Sequence, residues 1–185
     1  LVGISAHIGS QITDANLFAW DDEADLVIAG LGGAGIAAAN EALDQGLTVI
    51  GIDKTNGGGA TAKSGGVYYA GGGTPIQIAA GVEDSAKNMF NYLIQETGDI
   101  VKKSTLKNFC DTSAENTQWL MDNGVQFDPS YYKIKTSYPG AGYFLDHSDN
   151  SLVPSYMEKS IPAPRGHRGF EEGPFRPIGV GGPIY

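Results

Sequence analysis

The sequence predicts an α/β fold opening on a strand–helix–strand unit, and three observations within about thirty residues carry that prediction. Leu26-Val27-Ile28-Ala29 is a short apolar run that stops at a glycine. Residues 33–45 are rich in alanine and other good helix formers. Leu47-Thr48-Val49-Ile50-Gly51-Ile52 is a second run rich in branched side chains. Strands that read as continuous apolar runs, without alternation, belong to parallel sheets covered on both faces. Gly46 stands where a helix C-terminal glycine belongs.

The remaining elements follow in order. Residues 1–23 read as an N-terminal arm that packs on a neighbour, so an oligomer is expected; it ends in the acidic break Asp21-Asp22-Glu23. A glycine block fills 56–73, with Val67-Tyr68-Tyr69 inside it, which a flexible linker would not carry. Residues 84–97 read as a helix with Met89, Phe90, Leu93 and Ile94 on one side and Gly98 after it. A second helix is predicted over 104–122, with Ser104 as N-cap, an apolar stripe of Leu106, Phe109, Cys110 and Leu120, and Asn123-Gly124 as its end. Beyond Val125 the periodicity dissolves. Residues 128–185 are rich in Pro, Gly, Tyr and His, and such a length without clear elements exceeds what a self-contained domain carries. The sequence therefore reads as residues 24–127 of a nucleotide-binding domain and a loop-rich segment, 128–185, leading toward a substrate domain. The rest of the protein is expected on the same polypeptide or on a partner chain.

Composition excludes several classes. Glycine supplies 27 of 185 residues, roughly twice the usual ~7%. A hydrophobic content of 41% with nine Tyr, seven Phe and two Trp excludes a disordered chain. A net charge of −9 argues against nucleic acid or an anionic membrane as a general partner. Cys110 is the single cysteine, so no internal disulfide forms. No apolar run approaches the ~20 residues of a membrane span, and no signal peptide is visible; a cytoplasmic location is expected. One Cys and three scattered His lack ligand spacing, so no metal or haem site is expected, and His7 and His147 receive no role.

The chemistry concentrates at Gly30-Leu31-Gly32-Gly33-Ala34-Gly35, a G-x-G-x-x-G motif between the first strand and the helix. Gly30 permits the tight turn, Gly32 lets backbone approach a pyrophosphate, and Gly35 lets helix and strand pack closely. Gly33 and Ala34 open the helix, whose free N–H groups favour phosphate. Asp53 closes the second strand, 23 residues after Gly30, where a carboxylate accepts a hydrogen bond from a ribose hydroxyl. This predicts an adenine dinucleotide and leaves FAD and NAD both open.

A second block separates them. Asp53-Lys54 is followed by Gly57-Gly58-Gly59-Ala60-Thr61-Ala62-Lys63-Ser64-Gly65-Gly66. This stretch resembles the second FAD segment of flavoproteins related to fumarate reductase and 3-ketosteroid Δ1-dehydrogenase. Bare backbone and small hydroxyls can touch a pyrophosphate and a flavin without clash. The resemblance implies FAD as cofactor, held by Gly30, Gly32, Gly33, Ala34, Gly35, Asp53, Lys54, Gly58, Gly59, Ala60, Thr61, Ser64, Gly65 and Gly66. It also implies an incomplete Rossmann-like FAD-binding domain of the glutathione-reductase type. Trp119 to Phe127 looks like the helix-to-turn segment of the same superfamily.

Pro129-Ser130-Tyr131-Tyr132-Lys133 is similar to the Pro-Asp-Tyr-Tyr-Lys segment of ketosteroid dehydrogenases, departing from it at Ser130. Carried over, the resemblance makes Tyr131 a catalytic candidate, with Tyr132 behind it. The activity implied is desaturation of a 3-oxosteroid or related hydrophobic cyclic ketone next to its carbonyl, by proton abstraction and hydride transfer to flavin N5. Arg165-Gly166-His167-Arg168 looks instead like soluble fumarate reductases, where arginines bind a carboxylate. The two arginines equally fit structural pairing with Glu171 or Glu172. A third reading is a dinucleotide-binding subunit that is inert without a partner chain.

Overall fold

The structure, a computed structural model, describes residues 24–136 and 139–170. They fall into two compact units that divide between Ser64 and Gly65. The proposed arm, Glu171, Glu172 and His7 lie outside the described residues.

The first unit is built on β1 (Leu26–Ala29), α1 (Gly33–Asp44), β2 (Val49–Ile52) and α2 (Gly59–Ala62). β1 and β2 pair in parallel, Leu26 against Val49 through Ala29 against Ile52, which is the strand–helix–strand unit read from the sequence. At the outer end Asp25 fixes the register: its carboxylate accepts from the Thr48 N–H at 2.9 Å and the Thr48 hydroxyl at 2.8 Å. Those bonds hold the Asp25 carboxyl below its ordinary range. Gly46 ends α1 at φ +78°. Ile28, Gly35 and Ala42 are the buried positions where α1 meets β1.

The second unit centres on a mixed sheet. Its strands are β3 (Val67–Tyr69), β5 (Tyr131–Tyr132), β6 (Leu145–Asp146) and β7 (Gly166–Phe170), in the order β3-β7-β6-β5, with β4 (Gln126–Phe127) also paired to β7. β5 and β6 run parallel, and every other pairing is antiparallel. The stretch after residue 128 is therefore not free of strands. Its strands are two to five residues long, too short to leave a period in the sequence.

The helices are α3 (Pro75–Ala79), α4 (Ala86–Thr97), α5 (Lys103–Asp122) and α6 (Pro154–Met157). α4 is capped by Ser85, whose hydroxyl accepts from the Asn88 N–H at 3.1 Å. α5 starts one residue before its predicted start, with Lys102 at the N-cap and no side-chain cap. Its buried stripe is Leu106, Cys110, Ser113 and Thr117, and Phe109 is exposed. The two hydroxyl residues on that stripe serve backbone: Ser113 Oγ accepts from the Gly71 N–H at 3.0 Å, and Thr117 donates to the Ser113 carbonyl at 2.9 Å. Ile76, Phe127 and Leu145 form the hydrophobic core, with Tyr68, Leu120, Met121, Val125 and Tyr131 packed on it.

Candidate functional site

In the first unit two glycine segments lie side by side. Gly30, at φ +98°, makes the turn out of β1, and its N–H donates to the Ile52 carbonyl at 2.7 Å. Gly32 and Gly58 form a parallel bridge, and the Gly58 N–H donates to the Leu31 carbonyl at 2.7 Å. Gly59 approaches so closely that an added Cβ would sit 3.2 Å from Gly32 Cα. Gly33 donates to Thr61 Oγ1 at 3.2 Å. Sequence reasoning placed both segments on one ligand, and the structure adds that they hydrogen-bond to each other.

Asp53 anchors this loop. Its Oδ2 accepts from the Leu31 N–H at 2.8 Å, and its Oδ1 accepts from Thr55 N–H and hydroxyl at 2.7 and 2.8 Å. The Thr55 and Leu31 bonds hold the carboxyl below its ordinary range, so it is ionised at neutral pH. Oδ2, with a single bond, retains lone-pair capacity for a further donor.

This arrangement fits a dinucleotide. The N-cap of α1 is Gly32, with no side-chain cap; first-turn N–H groups of a helix favour phosphate, and here, among the described residues, the Gly33 N–H is the one that meets a side chain, Thr61. Gly30 and Ala34 are exposed and Gly35 is buried. A Cβ on Gly35 would collide with the Gly30 carbonyl oxygen, so that glycine serves close packing. Lys54 is exposed beside Asp53, as is Ala60 at the start of α2. Ser64 caps the end of α2 by donating to the Thr61 carbonyl at 2.8 Å. Gly65 and Gly66 begin the second unit, Gly66 at φ +70°.

The third cluster of the glycine block has another role. A Cβ on Gly71 would meet Asp84 Oδ2 at 2.7 Å and Arg165 Cδ at 2.9 Å. Gly71 therefore makes room for a buried ion pair.

That ion pair organises the second unit. Arg165 is fully buried. Its Nε and Nη2 donate to the two oxygens of Asp84 at 2.9 and 3.0 Å, its Nη1 reaches Asp149 Oδ2 at 3.5 Å, and its guanidinium lies over the Tyr92 ring. Asp84 is held below its ordinary range by these bonds, against the opposing effect of burial. Asp149 accepts from the Tyr69 hydroxyl at 2.8 Å and the Ser151 N–H at 3.0 Å. The structural reading of Arg165 stands, with Asp84 and Asp149 as its partners among the described residues. Arg168 Nη1 donates to the carbonyls of Pro139 and Tyr143 at 3.3 and 3.1 Å, and its Nε is buried with no partner among the described residues.

The adjacent tyrosines separate. Tyr131 Oη lies 2.6 Å from His147 Nε2, and Tyr132 packs edge-on against Tyr143. Ser130, at the position that departs from the family segment, bonds Asp128 through its N–H at 2.8 Å and through its hydroxyl. The Ser130 carbonyl accepts from Phe144 and Leu145 and so positions β6. His147, given no role by the sequence, lies in the dense polar run Asp146-His147-Ser148-Asp149-Asn150-Ser151 between Leu145 and Leu152, of which Asp146, His147, Asp149 and Ser151 are buried. Among the described residues no group of three or more His, Cys, Asp or Glu is placed to hold a metal, and no helix is long and apolar enough to cross a membrane.

Comparison with known proteins adds the family. The chain is 39% identical over 170 residues to the 3-oxo-5-alpha-steroid 4-dehydrogenase of Comamonas testosteroni, a match covering 90% of this chain and 31% of that protein. It is 33% identical over 121 residues to a 3-oxosteroid 1-dehydrogenase of Rhodococcus opacus, covering 63% of this chain and 24% of the relative. Among solved structures, the 3-ketosteroid-delta4-(5alpha)-dehydrogenase of Rhodococcus jostii RHA1, in complex with 4-androstene-3,17-dione, superposes with a TM-score of 0.80 at 37% identity, over 92% of this chain and 36% of that one. The chain thus spans about a third of the length of these relatives. Residues 25–182 match the model of the family described as FAD binding domain, so the chain belongs to that family and FAD is the dinucleotide it takes.

Proposed function

We propose that this chain is the FAD-holding part of an oxidoreductase that introduces a double bond next to the carbonyl of a 3-oxosteroid or a related cyclic ketone. The observation that carries the reading is the extent of the likeness: 39% and 37% identity, each over about nine-tenths of the chain, to two proteins named for desaturating 3-ketosteroids at position 4. The 1-dehydrogenase matches less of the chain, so position 4 is preferred to position 1.

The chemistry follows from the ketone. Its carbonyl acidifies the α-carbon, and loss of an α-proton together with a β-hydride leaves the conjugated double bond. FAD, when bound, supplies the hydride acceptor. On this chain, Gly30 to Gly35 and Gly58 to Thr61 cradle the pyrophosphate, and Asp53 holds the Leu31 turn while offering the remaining lone pair of Oδ2 to a ribose hydroxyl. We read the strand–helix–strand unit as the start of a glutathione-reductase-type domain whose further strands, substrate domain and main catalytic base belong to protein outside these 185 residues. Tyr131 is the catalytic candidate here; Tyr132, edge-on to Tyr143, shapes the wall beside it. Burial raises the Tyr131 hydroxyl above its ordinary range, so Tyr131 enters the reaction neutral and works by passing protons.

The alternative, reduction of a C=C bond conjugated to a carboxylate, is motivated by Arg165, His167 and Arg168; it has less support because Arg165 is committed to Asp84 and Asp149. The test is turnover of the flavin-loaded enzyme with a 5α-saturated 3-oxosteroid, a 4-en-3-oxosteroid and a fumarate-type acid, with an artificial electron carrier. Reduction of the carrier with the saturated steroid alone is the expected result. Activity confined to the 4-en-3-oxosteroid moves the double bond to position 1, and activity confined to the acid overturns the proposal.

A further inference from the structure

Behind Tyr131 stands a second titratable group. His147 is 3% exposed, and its Nε2 lies 2.6 Å from Tyr131 Oη with the two rings 5.7 Å apart. The other nitrogen, Nδ1, faces Ser151 Oγ at 3.4 Å, and the Ala163 backbone hydrogen-bonds the ring in the sense that favours a protonated nitrogen. In the neutral tautomer that carries its proton on Nδ1, toward Ser151 Oγ, Nε2 presents a lone pair that accepts from the Tyr131 hydroxyl.

We infer that His147 is the proton-accepting positioning residue behind Tyr131, taking the tyrosine's hydroxyl proton on Nε2 during desaturation of the ketone. This rests on the reading of Tyr131 given above. When a proton reaches Tyr131 Oη, from the substrate's α-carbon or from the base that removed it, a new O–H bond forms there. The original O–H bond breaks and an N–H bond forms at Nε2. The electron pair of the broken C–H bond stays on the substrate as the enolate, and no oxidant takes part in this step. The proton returns to Tyr131 and leaves to water once the product has gone.

The surroundings suit a base that cycles. Burial, Arg165 and Lys135 keep the imidazole below its ordinary range, while Asp149 and Ala163 pull the other way. His147 is therefore neutral and receptive at pH 7, and the Asp149 carboxylate offsets the charge it gains. Ser151 is fully buried and holds the ring against Tyr131.

The experiment is steady-state kinetics of the full-length, flavin-loaded enzyme with a 3-oxosteroid, across pH, for His147→Gln, His147→Ala, Tyr131→Phe and the double variant Y131F/H147Q. Gln keeps an acceptor for the tyrosine hydroxyl and cannot take its proton. The expected H147Q result is a kcat lower by about ten- to a hundredfold, with KM and flavin content near those of the parent. The parent's kcat should fall toward acid pH as His147 becomes protonated, and that limb should vanish in H147Q. The double variant should be no worse than the more damaged single one. Added imidazole should restore part of the activity of His147→Ala, which a purely structural residue would not allow; this arm decides the matter if H147Q fails to fold. A parental kcat and acid limb in H147Q, or no imidazole rescue in His147→Ala, overturns the inference while leaving Tyr131 in place if Tyr131→Phe is impaired. Full turnover by Tyr131→Phe instead removes Tyr131 from the proposed function, and this relay with it.

Discussion

At the scale of single residues, glycines in this chain answer two different needs. Gly124 takes φ +94°, with nothing near an added Cβ; it needs only backbone freedom. Gly35 has an ordinary helical φ, but a Cβ there would strike the Gly30 carbonyl oxygen, and backbone against backbone cannot be relieved by turning a side chain. Gly35→Ala should therefore push α1 away from the Gly30 turn, which we propose binds the pyrophosphate. We expect the purified variant to lose its flavin absorbance, while Gly124→Ala retains it and loses about 1 kcal/mol of stability in denaturant. Equal flavin content in both variants would show that the Gly30–Gly35 turn does not set cofactor binding.

At the scale of elements, short helices are held by their caps. α3 begins with a reciprocal box: Thr74 Oγ1 accepts from the Gln77 N–H at 3.1 Å, and Gln77 Oε1 accepts from the Thr74 N–H at 3.0 Å. The same hydroxyl meets His167 Nε2 at 2.8 Å, and Gln77 Nε2 donates to the Pro164 carbonyl at 2.8 Å. Thr74 therefore joins helix to sheet in a fully buried setting. Thr74→Val should cost about 2–3 kcal/mol in urea unfolding, against about 1 kcal/mol for the same loss at the exposed cap, Ser85→Ala. Similar costs at the two positions would mean that the bond to His167 adds nothing.

The contrast between those elements also explains what was legible in the sequence. Leu26–Ala29, the Gly30–Gly35 motif and Val49–Ile52 declare themselves because each lies within a few residues of its partner and carries a strong local signal. The partners of Arg165 are 81 and 16 residues away, and nothing local to Arg165 names Asp84 over any other acid. Ser113 and Thr117 escaped the apolar stripe because they are polar, yet they are buried to receive Gly71 and to bond within the helix. His147 was hidden in the same way: its partner Tyr131 is 16 residues upstream, across two strands of two residues each. The glycine turn was readable and the Tyr131–His147 contact was not, because the first is a local loop and the second a tertiary pairing.

At the scale of the whole molecule, two buried groups pull stability in opposite directions with pH. His167 is pushed down to about 4 by burial; unfolded, it takes a proton near 6.5. Its contribution is complete above that unfolded value and is lost as pH falls toward 4. Asp146 is pushed up to about 6 by burial, with its Oδ1 unpartnered. The folded state thus holds that proton more tightly than the unfolded chain, and the benefit is lost as pH rises through about 6. Asp146→Asn removes the buried charge. We expect it to raise stability at pH 8 by about 1–2 kcal/mol, allowing for screening by solvent and by Arg168, with the gain shrinking below pH 6. A gain independent of pH would place its origin elsewhere than in that carboxylate. With Asp146 silenced, the acid-side loss belonging to His167 should stand out more steeply.

One feature of the second sheet sets a timetable. β7 is the strand against which β3, β4 and β6 all pair, with Val67 opposite Arg168, and it is made last among them. A ribosome adding about 5–20 residues per second needs roughly five to twenty seconds to travel from β3 to β7. Throughout that interval β3 and β4 have open edges and no template, and β5 and β6 can pair only with each other. The second unit therefore cannot mature piece by piece as it emerges. It must wait, collapsed but unpaired, for a single five-residue strand to close it, and a nascent chain paused anywhere before Gly166 is a candidate for chaperone capture or for mispairing with a neighbour.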